Sequence, residues 1–422
     1  LLRKTKIVAT LGPASEDPDI LRRMIRSGMN VVRLNLSHGS YAEHSRRVEV
    51  VREIAAEERA HVAIMADTRG IEVRTGTLEN GPVELAPEQE FRLYIDGQVG
   101  NEHGVSVSYL RLPDEVSIGD TILLDDAAIE MSVTTIEKDT IICRVVHGGR
   151  LGERKGVNLP ETKLSITATS PEFIDQLNAE IDFSVNNDVD YLAASFVQSG
   201  EEVNDIRSRL KEKGSDIPII AKIENRAGVD NLSSIVAAAN GIMVARGDLG
   251  VELPLADVPS TQKKLIRATV MSGKPVMTAT QMLATMESNP KPTRAEASDV
   301  ANAILDGTSA VMLSGETAMG KYPVESITTM ATIALRAEAS LRDYGYLQTI
   351  SLGDANKIAE AVGQAAARLA EQLKAAGIIT LTDSGYTARL ISKHRPESSI
   401  IAVTASERVA RRLALNWGVK PL

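Results

Sequence analysis

Eight short apolar runs, most of them followed by an amphipathic stretch, limit what this chain can fold into more than any other feature. The runs are Lys6–Leu11, Val31–Leu36, Ala63–Asp67, Tyr191–Phe196, Ile219–Ile223, Gly241–Ala245, Pro275–Thr280 and Ala310–Leu313. Helical patterns lie between most of them, at Pro18–Ser27, Tyr41–Glu57, Glu201–Lys213, Asp230–Ala239 and Ser260–Met271. Strands that alternate with helices pair in parallel through right-handed crossovers. Eight such units in series predict an α/β fold of the TIM (β/α)8 barrel type. Composition agrees: 43% of the 422 residues are hydrophobic but only 3% are aromatic, so the core is aliphatic, as suits parallel strands buried on both faces.

The series is interrupted between the third and fourth runs by more than a hundred residues. Within them Phe91–Ile95, Val105–Tyr109, Thr121–Leu124 and Thr140–Val146 alternate as β strands do, punctuated by Gly and Asp. We read residues 74–155 as an inserted β-barrel-like lid domain at the barrel mouth, with passive decoration as the plainer reading. The catalytic barrel then comprises residues 1–73 and 156–334. After Ala334 the pattern restarts with an Ala-rich helix at Ala355–Ala375, a strand at Gly377–Thr382, a second helix and a strand at Ser399–Thr404. Residues 335–422 thus form a C-terminal α/β domain. The chain begins without Met, so further residues are expected upstream.

A net charge of −9 argues against nucleic acid as a partner. It leaves anionic small substrates open, because a local site can be basic on an acidic protein. The single Cys143 excludes an intrachain disulfide framework and points to a reducing, cytoplasmic location. No apolar run approaches the ~20 residues of a membrane span, and the basic start Leu1–Lys6 has no signal-type apolar stretch after it.

Chemistry gathers at the ends of the runs. Arg33, Asn35 and Ser37 are spaced by two and so face one way along a strand. A cation, an amide and a hydroxyl make poor core material. They read either as an ion-pair layer or as oxygen ligands beside an anion clamp. The third run ends in Asp67-Thr68, and oxygens from Asn35, Ser37, Asp67 and Thr68 suit a weakly held monovalent cation rather than zinc. Lys222 and Glu224 share a face at the end of the fifth run, and the sixth ends in Arg246-Gly247-Asp248. Glu224 and Asp248, from adjacent strands, suit a hard divalent ion completed by substrate oxygens and water. Gly247 and Gly250 permit close backbone approach, and amides there can face an anion. Lys222 then sits where negative charge passes between two groups; the plainer reading is a Lys–Glu pair that fills the barrel. Thr280, at the end of the seventh run, can bond a substrate, relay a proton or merely cap its strand.

The ordered set of motifs resembles the pyruvate kinase family. The matching segments are Thr5–Ser15, Asn30–Gly39, Asp67–Gly76, Gly156–Pro160, Lys222–Asn225, Val244–Gly250, Thr280–Leu283, Pro292–Glu296 and Leu313–Ala318, and they run collinearly to about Pro421. The resemblance implies transfer of the phosphoryl group of phosphoenolpyruvate to ADP, giving pyruvate and ATP in the last step of glycolysis. It implies Mg2+ (or Mn2+) at Glu224 and Asp248, and K+ at Asn35, Ser37, Asp67 and Thr68. Arg33 and Lys222 would act on the phosphoryl group, Arg74 and Lys155 on the nucleotide phosphates. Gly247, Asp248 and Thr280 would bind phosphoenolpyruvate, with Thr280 near the carbon that gains a proton. Family membership also implies a homotetramer, and Glu72 implies K+ dependence.

The chain departs from the family in places. Ile71 stands where Pro is usual, which is expected to loosen the lid hinge. Asp125-Asp126-Ala127-Ala128 lacks a Gly, and Leu164–Asp175 diverges. Thr382–Thr387 resembles an effector phosphate loop but reads equally as a turn, and the C-terminal domain is expected to be several tens of residues short. A Mg2+-dependent lyase and a non-catalytic relative are the competing readings. A lyase needs neither the Arg33/Lys222 pair nor the lid, and a non-catalytic relative would be expected to have lost Lys222, Glu224 or Asp248.

Overall fold

In a computed structural model, residues 3–71, 73–160, 162, 164–344 and 357–422 are described. Eight parallel strands close into a barrel: Lys6–Thr10, Val31–Asn35, Ala63–Asp67, Tyr191–Ala194, Ile219–Ile223, Gly241–Ala245, Val276–Ala279 and Ala310–Leu313. Each pairs with its neighbours in sequence order, and the eighth returns to the first through Lys6↔Ala310. All eight expected runs are therefore barrel strands.

The pleat divides each strand between two environments. Ile7, Val32, Leu34, Ile64 and Ala66 face outward into the main core beneath the helices. Val8, Met65, Ala193, Ile220, Met243, Met277 and Met312 fill the barrel interior, which Ala414 and Leu415 of the C-terminal unit also join. The interior face of the second strand reads Val31, Arg33, Asn35 and that of the third reads Ala63, Met65, Asp67. The same alternation that packs apolar residues low in the barrel thus places charged ones at its C-terminal mouth.

Helix boundaries follow their caps. Tyr41–Glu57 starts at Ser40, which forms a capping box with Glu43. The expected helix Asp230–Ala239 is instead two, Arg226–Asp230 and Leu232–Ala238. They meet at Asn231, whose side-chain amide donates to Gln198 O at 2.8 Å. A short polar side chain that bonds elsewhere competes with the helix at that residue.

The inserted residues build a six-stranded sheet that includes Thr121–Leu124, Ile129–Glu137, Thr140–His147 and Glu90–Tyr94, plus a separate pair, Val83–Leu85 with Gly149–Leu151. Its own core contains Phe91, Ile122, Met131 and Cys143. The strand Ile129–Glu137 was missed from sequence, although Ile129, Met131 and Val133 alternate inward. Asp125, Asp126 and Ala127, where the family's Gly is absent, have φ of 52°, 54° and 66°. The C-terminal unit has three parallel strands, Gly377–Leu381, Ser399–Val403 and Val419–Pro421, the last unexpected. Its first helix is described from Lys357 to Gln372; the expected start at Ala355 lies outside the described residues.

Candidate active site

Strand register assembles the site. Asn35 is level with Asp67, and Asp67 with Ala193, so the ends of the second, third and fourth strands meet. Asp67 is fully buried. Its Oδ2 accepts from Arg33 Nε at 2.5 Å, and its Oδ1 lies 3.0 Å from Lys222 Nζ. Lys222 Nζ also contacts Glu224 Oε1 at 3.0 Å and donates to Ser195 Oγ at 2.7 Å. All three ammonium protons of Lys222 therefore have acceptors. Glu224 Oε2 accepts from Phe196 N at 2.6 Å.

Electrostatics set the protonation states. Burial works against charge on Lys222, but Asp67 and Glu224 outweigh it and raise the ammonium's pKa. Burial likewise opposes ionisation of Asp67, yet Arg33 and then Lys222 hold its carboxyl below the usual range. Glu224 goes the other way. Burial pushes its carboxyl up, Lys222 opposes this, and Asp248 and Asp67 add to the rise. Two cations thus face three carboxylates, and the shortage of positive charge is felt at Glu224, beside Asp248. That is where a cation is most favoured. Among the described residues no group of three or more His, Cys, Asp or Glu side chains is placed to hold a metal by itself. A divalent ion here would draw its remaining ligands from substrate and water, as Mg2+ does. The donor set fits.

Of the residues expected to hold a monovalent cation, Asn35 and Asp67 are level on neighbouring strands and Thr68 follows Asp67. The strand stops at Asn35, so Ser37 lies in a turn and not on the strand face. The turn forms because Asn35 Oδ1 accepts from Ser37 N at 3.2 Å. Thr68 Oγ1 accepts from Ser195 N at 3.1 Å.

Ser195 is a member of this cluster that sequence reasoning missed. It is buried just past the fourth strand, and its Oγ donates to Thr68 O at 2.6 Å while accepting from Lys222. The run Tyr191–Phe196 read as uninterrupted strand and hid it; one hydroxyl after four apolar residues was the available signal. Gly70, with φ +76°, lets the chain pass close by: a Cβ there would lie 2.6 Å from Ser195 Cβ.

On the far side, Thr280 and Gln281 have φ of 68° and 53°. A β-branched residue in that region is an outlier, and such residues cost about 1–3 kcal/mol each. Thr280 Oγ1 accepts from Gly247 N at 2.7 Å and donates to Ala279 O at 2.6 Å. The Gly247 amide, expected to meet substrate, is therefore engaged with Thr280 here.

The lid joins the barrel by two chain passages. Arg74 lies opposite Gly156 in a bridge, and Thr75 N donates to Lys155 O at 2.8 Å, so Arg74 and Lys155 stand where the inserted domain joins the barrel. Arg74 Nη1 donates to Arg154 O, and Lys155 Nζ pairs with Asp125 at 2.9 Å. Neither touches the Lys222 cluster in this arrangement. Glu72 lies outside the described residues. A cavity of about 350 Å3 lies at the barrel mouth, lined by Ile71, Leu159 and Ile166, which pack into the core of the inserted sheet, and by Phe196, Asp248 and Glu252. Asn158 Nδ2 bonds Glu252 Oε1 at 3.1 Å across it.

Buried cations beside carboxylates at a barrel mouth are the kind of arrangement that a phosphotransferase requires. Comparison with known proteins narrows that class. The family model "Pyruvate kinase, barrel domain" matches residues 2–327, and "Pyruvate kinase, alpha/beta domain" matches residues 360–422. The chain is 47% identical to the pyruvate kinase of Bacillus licheniformis and 49% identical to that of Geobacillus stearothermophilus. In both cases the match spans 99% of this chain and 71% of the relative. A crystal structure of a pyruvate kinase from Cryptosporidium parvum superposes with a TM-score of 0.92 at 40% identity, covering all of this chain and 87% of that one. The chain belongs to the pyruvate kinase family, a family of phosphotransferases generally dependent on Mg2+ and K+. No described helix is long and apolar enough to cross a membrane.

Proposed function

We propose that Lys222 guides the phosphoryl group of phosphoenolpyruvate to ADP, leaving pyruvate and ATP. The observation that supports this most is its ammonium, buried at the mouth and in contact with both Asp67 and Glu224. Mg2+ (or Mn2+), held by Glu224 and Asp248, supplies positive charge to the phosphoryl oxygens when bound. Lys222 has no spare donor, so it releases one partner as the phosphoryl group arrives. Glu224 is the partner to release, because it is also one of the two carboxylates that would hold the divalent ion. Arg33, oriented by Asp67, binds the substrate phosphate. Gly247, Asp248 and Thr280 bind phosphoenolpyruvate, and Thr280 lies beside the enolate carbon that takes the proton. Arg74 and Lys155 meet the nucleotide phosphates when the lid, residues 74–155, closes on the barrel of residues 1–73 and 156–334. K+ at Asn35, Ser37, Asp67 and Thr68 adds a second cation beside the anionic substrates.

The test is pyruvate formation coupled to lactate dehydrogenase. NADH oxidation should require ADP, phosphoenolpyruvate and Mg2+ together; absence of ADP-dependent pyruvate formation would contradict the kinase reading. By family analogy we also propose a cytoplasmic homotetramer, which a monomeric mass by light scattering would contradict.

A further inference from the structure

The cation beside the metal carboxylate, Arg246, takes no part in the charge cluster around Lys222. Its guanidinium turns the other way. Nη1 contacts the Asp299 carboxylate at 2.6 and 2.7 Å, and Nη2 donates to Thr280 O at 2.8 Å, with Gln281 O at 3.4 Å and Met282 Sδ at 2.8 Å. The carbonyls it holds belong to two consecutive non-glycine residues with left-handed φ, Thr280 and Gln281. The next residue, Gly247, donates its amide to Thr280 Oγ1. One short segment thus holds Thr280 twice, by its carbonyl and by its hydroxyl. A planar fork anchored on a carboxylate is suited to this, because it fixes direction as well as charge. Strained backbone persists only where its surroundings impose it.

We propose that Arg246 is a positioning residue for the proton-transfer half of the reaction: it holds Thr280 in its left-handed conformation and so fixes where the Thr280 hydroxyl stands when substrate binds. The proposal rests on the reading of Thr280 given above. In that step the enolate's C=C electron pair takes a proton to form the new C–H bond of pyruvate, and the oxygen becomes a carbonyl. Phosphoryl transfer depends instead on Lys222 and Arg33, which Arg246 does not touch. Loss of Arg246 therefore falls unequally on the two halves.

The experiment compares two rates in the full-length protein with Mg2+ and K+ present. The first is exchange of pyruvate methyl protons with D2O, followed by 1H NMR with ATP present, which reads proton transfer alone. The second is ATP formation from phosphoenolpyruvate and ADP. For Arg246→Lys, exchange is expected to fall at least about tenfold more than ATP formation, since Lys keeps the charge but lacks the fork. Asp299→Asn, which leaves the guanidinium but removes its anchor, should show the same bias more weakly, and it serves if the first variant fails to fold. Equal loss of both rates, or no loss of exchange, would overturn the proposal. Thr280→Val separates the two readings. If it leaves exchange untouched, the role of Thr280 is wrong; if it abolishes exchange while both Arg246→Lys and Asp299→Asn lack the bias, the role of Arg246 is wrong.

Discussion

Lys222→Met removes the central cation while keeping side-chain length and most of its volume. Its cost follows from the partners left behind. Asp67 keeps Arg33 at 2.5 Å and stays ionised, whereas Glu224 keeps only the Phe196 amide. Breaking a buried pair by removing one partner typically costs about 3–5 kcal/mol. Glu224 can limit that loss by taking a proton, because burial already pushes its carboxyl up and Lys222 is the main group opposing the rise. A group whose folded pKa is raised contributes least stability at high pH. In the unaltered protein that carboxyl is pushed up to about 8, so the variant's deficit should be flat from pH 6 to about pH 8 and grow above it, by up to about 1.4 kcal/mol per pH unit. Urea unfolding followed by circular dichroism, with EDTA present to keep Glu224 free of metal, measures this. Turnover should fall by about 10³–10⁵-fold, the scale of a transition-state cation in phosphoryl transfer. A deficit that stays flat above about pH 8 would refute the electrostatic account of the pair, and turnover within tenfold of the unaltered protein would refute the role of Lys222.

Three further outcomes are expected. Replacing K+ by tetramethylammonium should lower turnover at least about tenfold, as loss of a charge-neutralising cation would; full activity without K+ would remove the proposed site. Lys155→Ala should raise the KM for ADP about five- to tenfold through loss of a charge-assisted contact, and a parallel rise in the KM for phosphoenolpyruvate would place Lys155 elsewhere. Ala127→Gly should stabilise the protein by about 0.5–2 kcal/mol, because Gly relieves a φ of 66° at a smaller entropic cost; an unchanged or lower melting temperature would show that this turn is not strained.

The barrel was legible because its signal is local. Runs such as Ile219–Ile223 and Gly241–Ala245 are apolar throughout, bounded by turn residues, and recur in a fixed order. The charged residues at strand ends were legible for the same reason: Lys222 and Glu224 interrupt apolar stretches. What escaped depends on contacts distant in sequence. Ser195 matters because strand register brings it to Lys222 and Thr68. Arg246 looked like the neighbour of a metal ligand, and only the fold turns its fork toward Thr280. The break at Asn231 rests on a bond to Gln198 O that no periodicity encodes.

The central claim is that phosphorus moves directly from phosphoenolpyruvate to ADP at Lys222. The direct measurement is 31P NMR of the purified protein with phosphoenolpyruvate, ADP, Mg2+ and K+. The account predicts that the phosphoenolpyruvate signal is replaced in equal amount by the γ-phosphoryl signal of ATP, and that Lys222→Met abolishes the change. Appearance of inorganic phosphate instead, or loss of phosphoenolpyruvate independent of ADP, would contradict it.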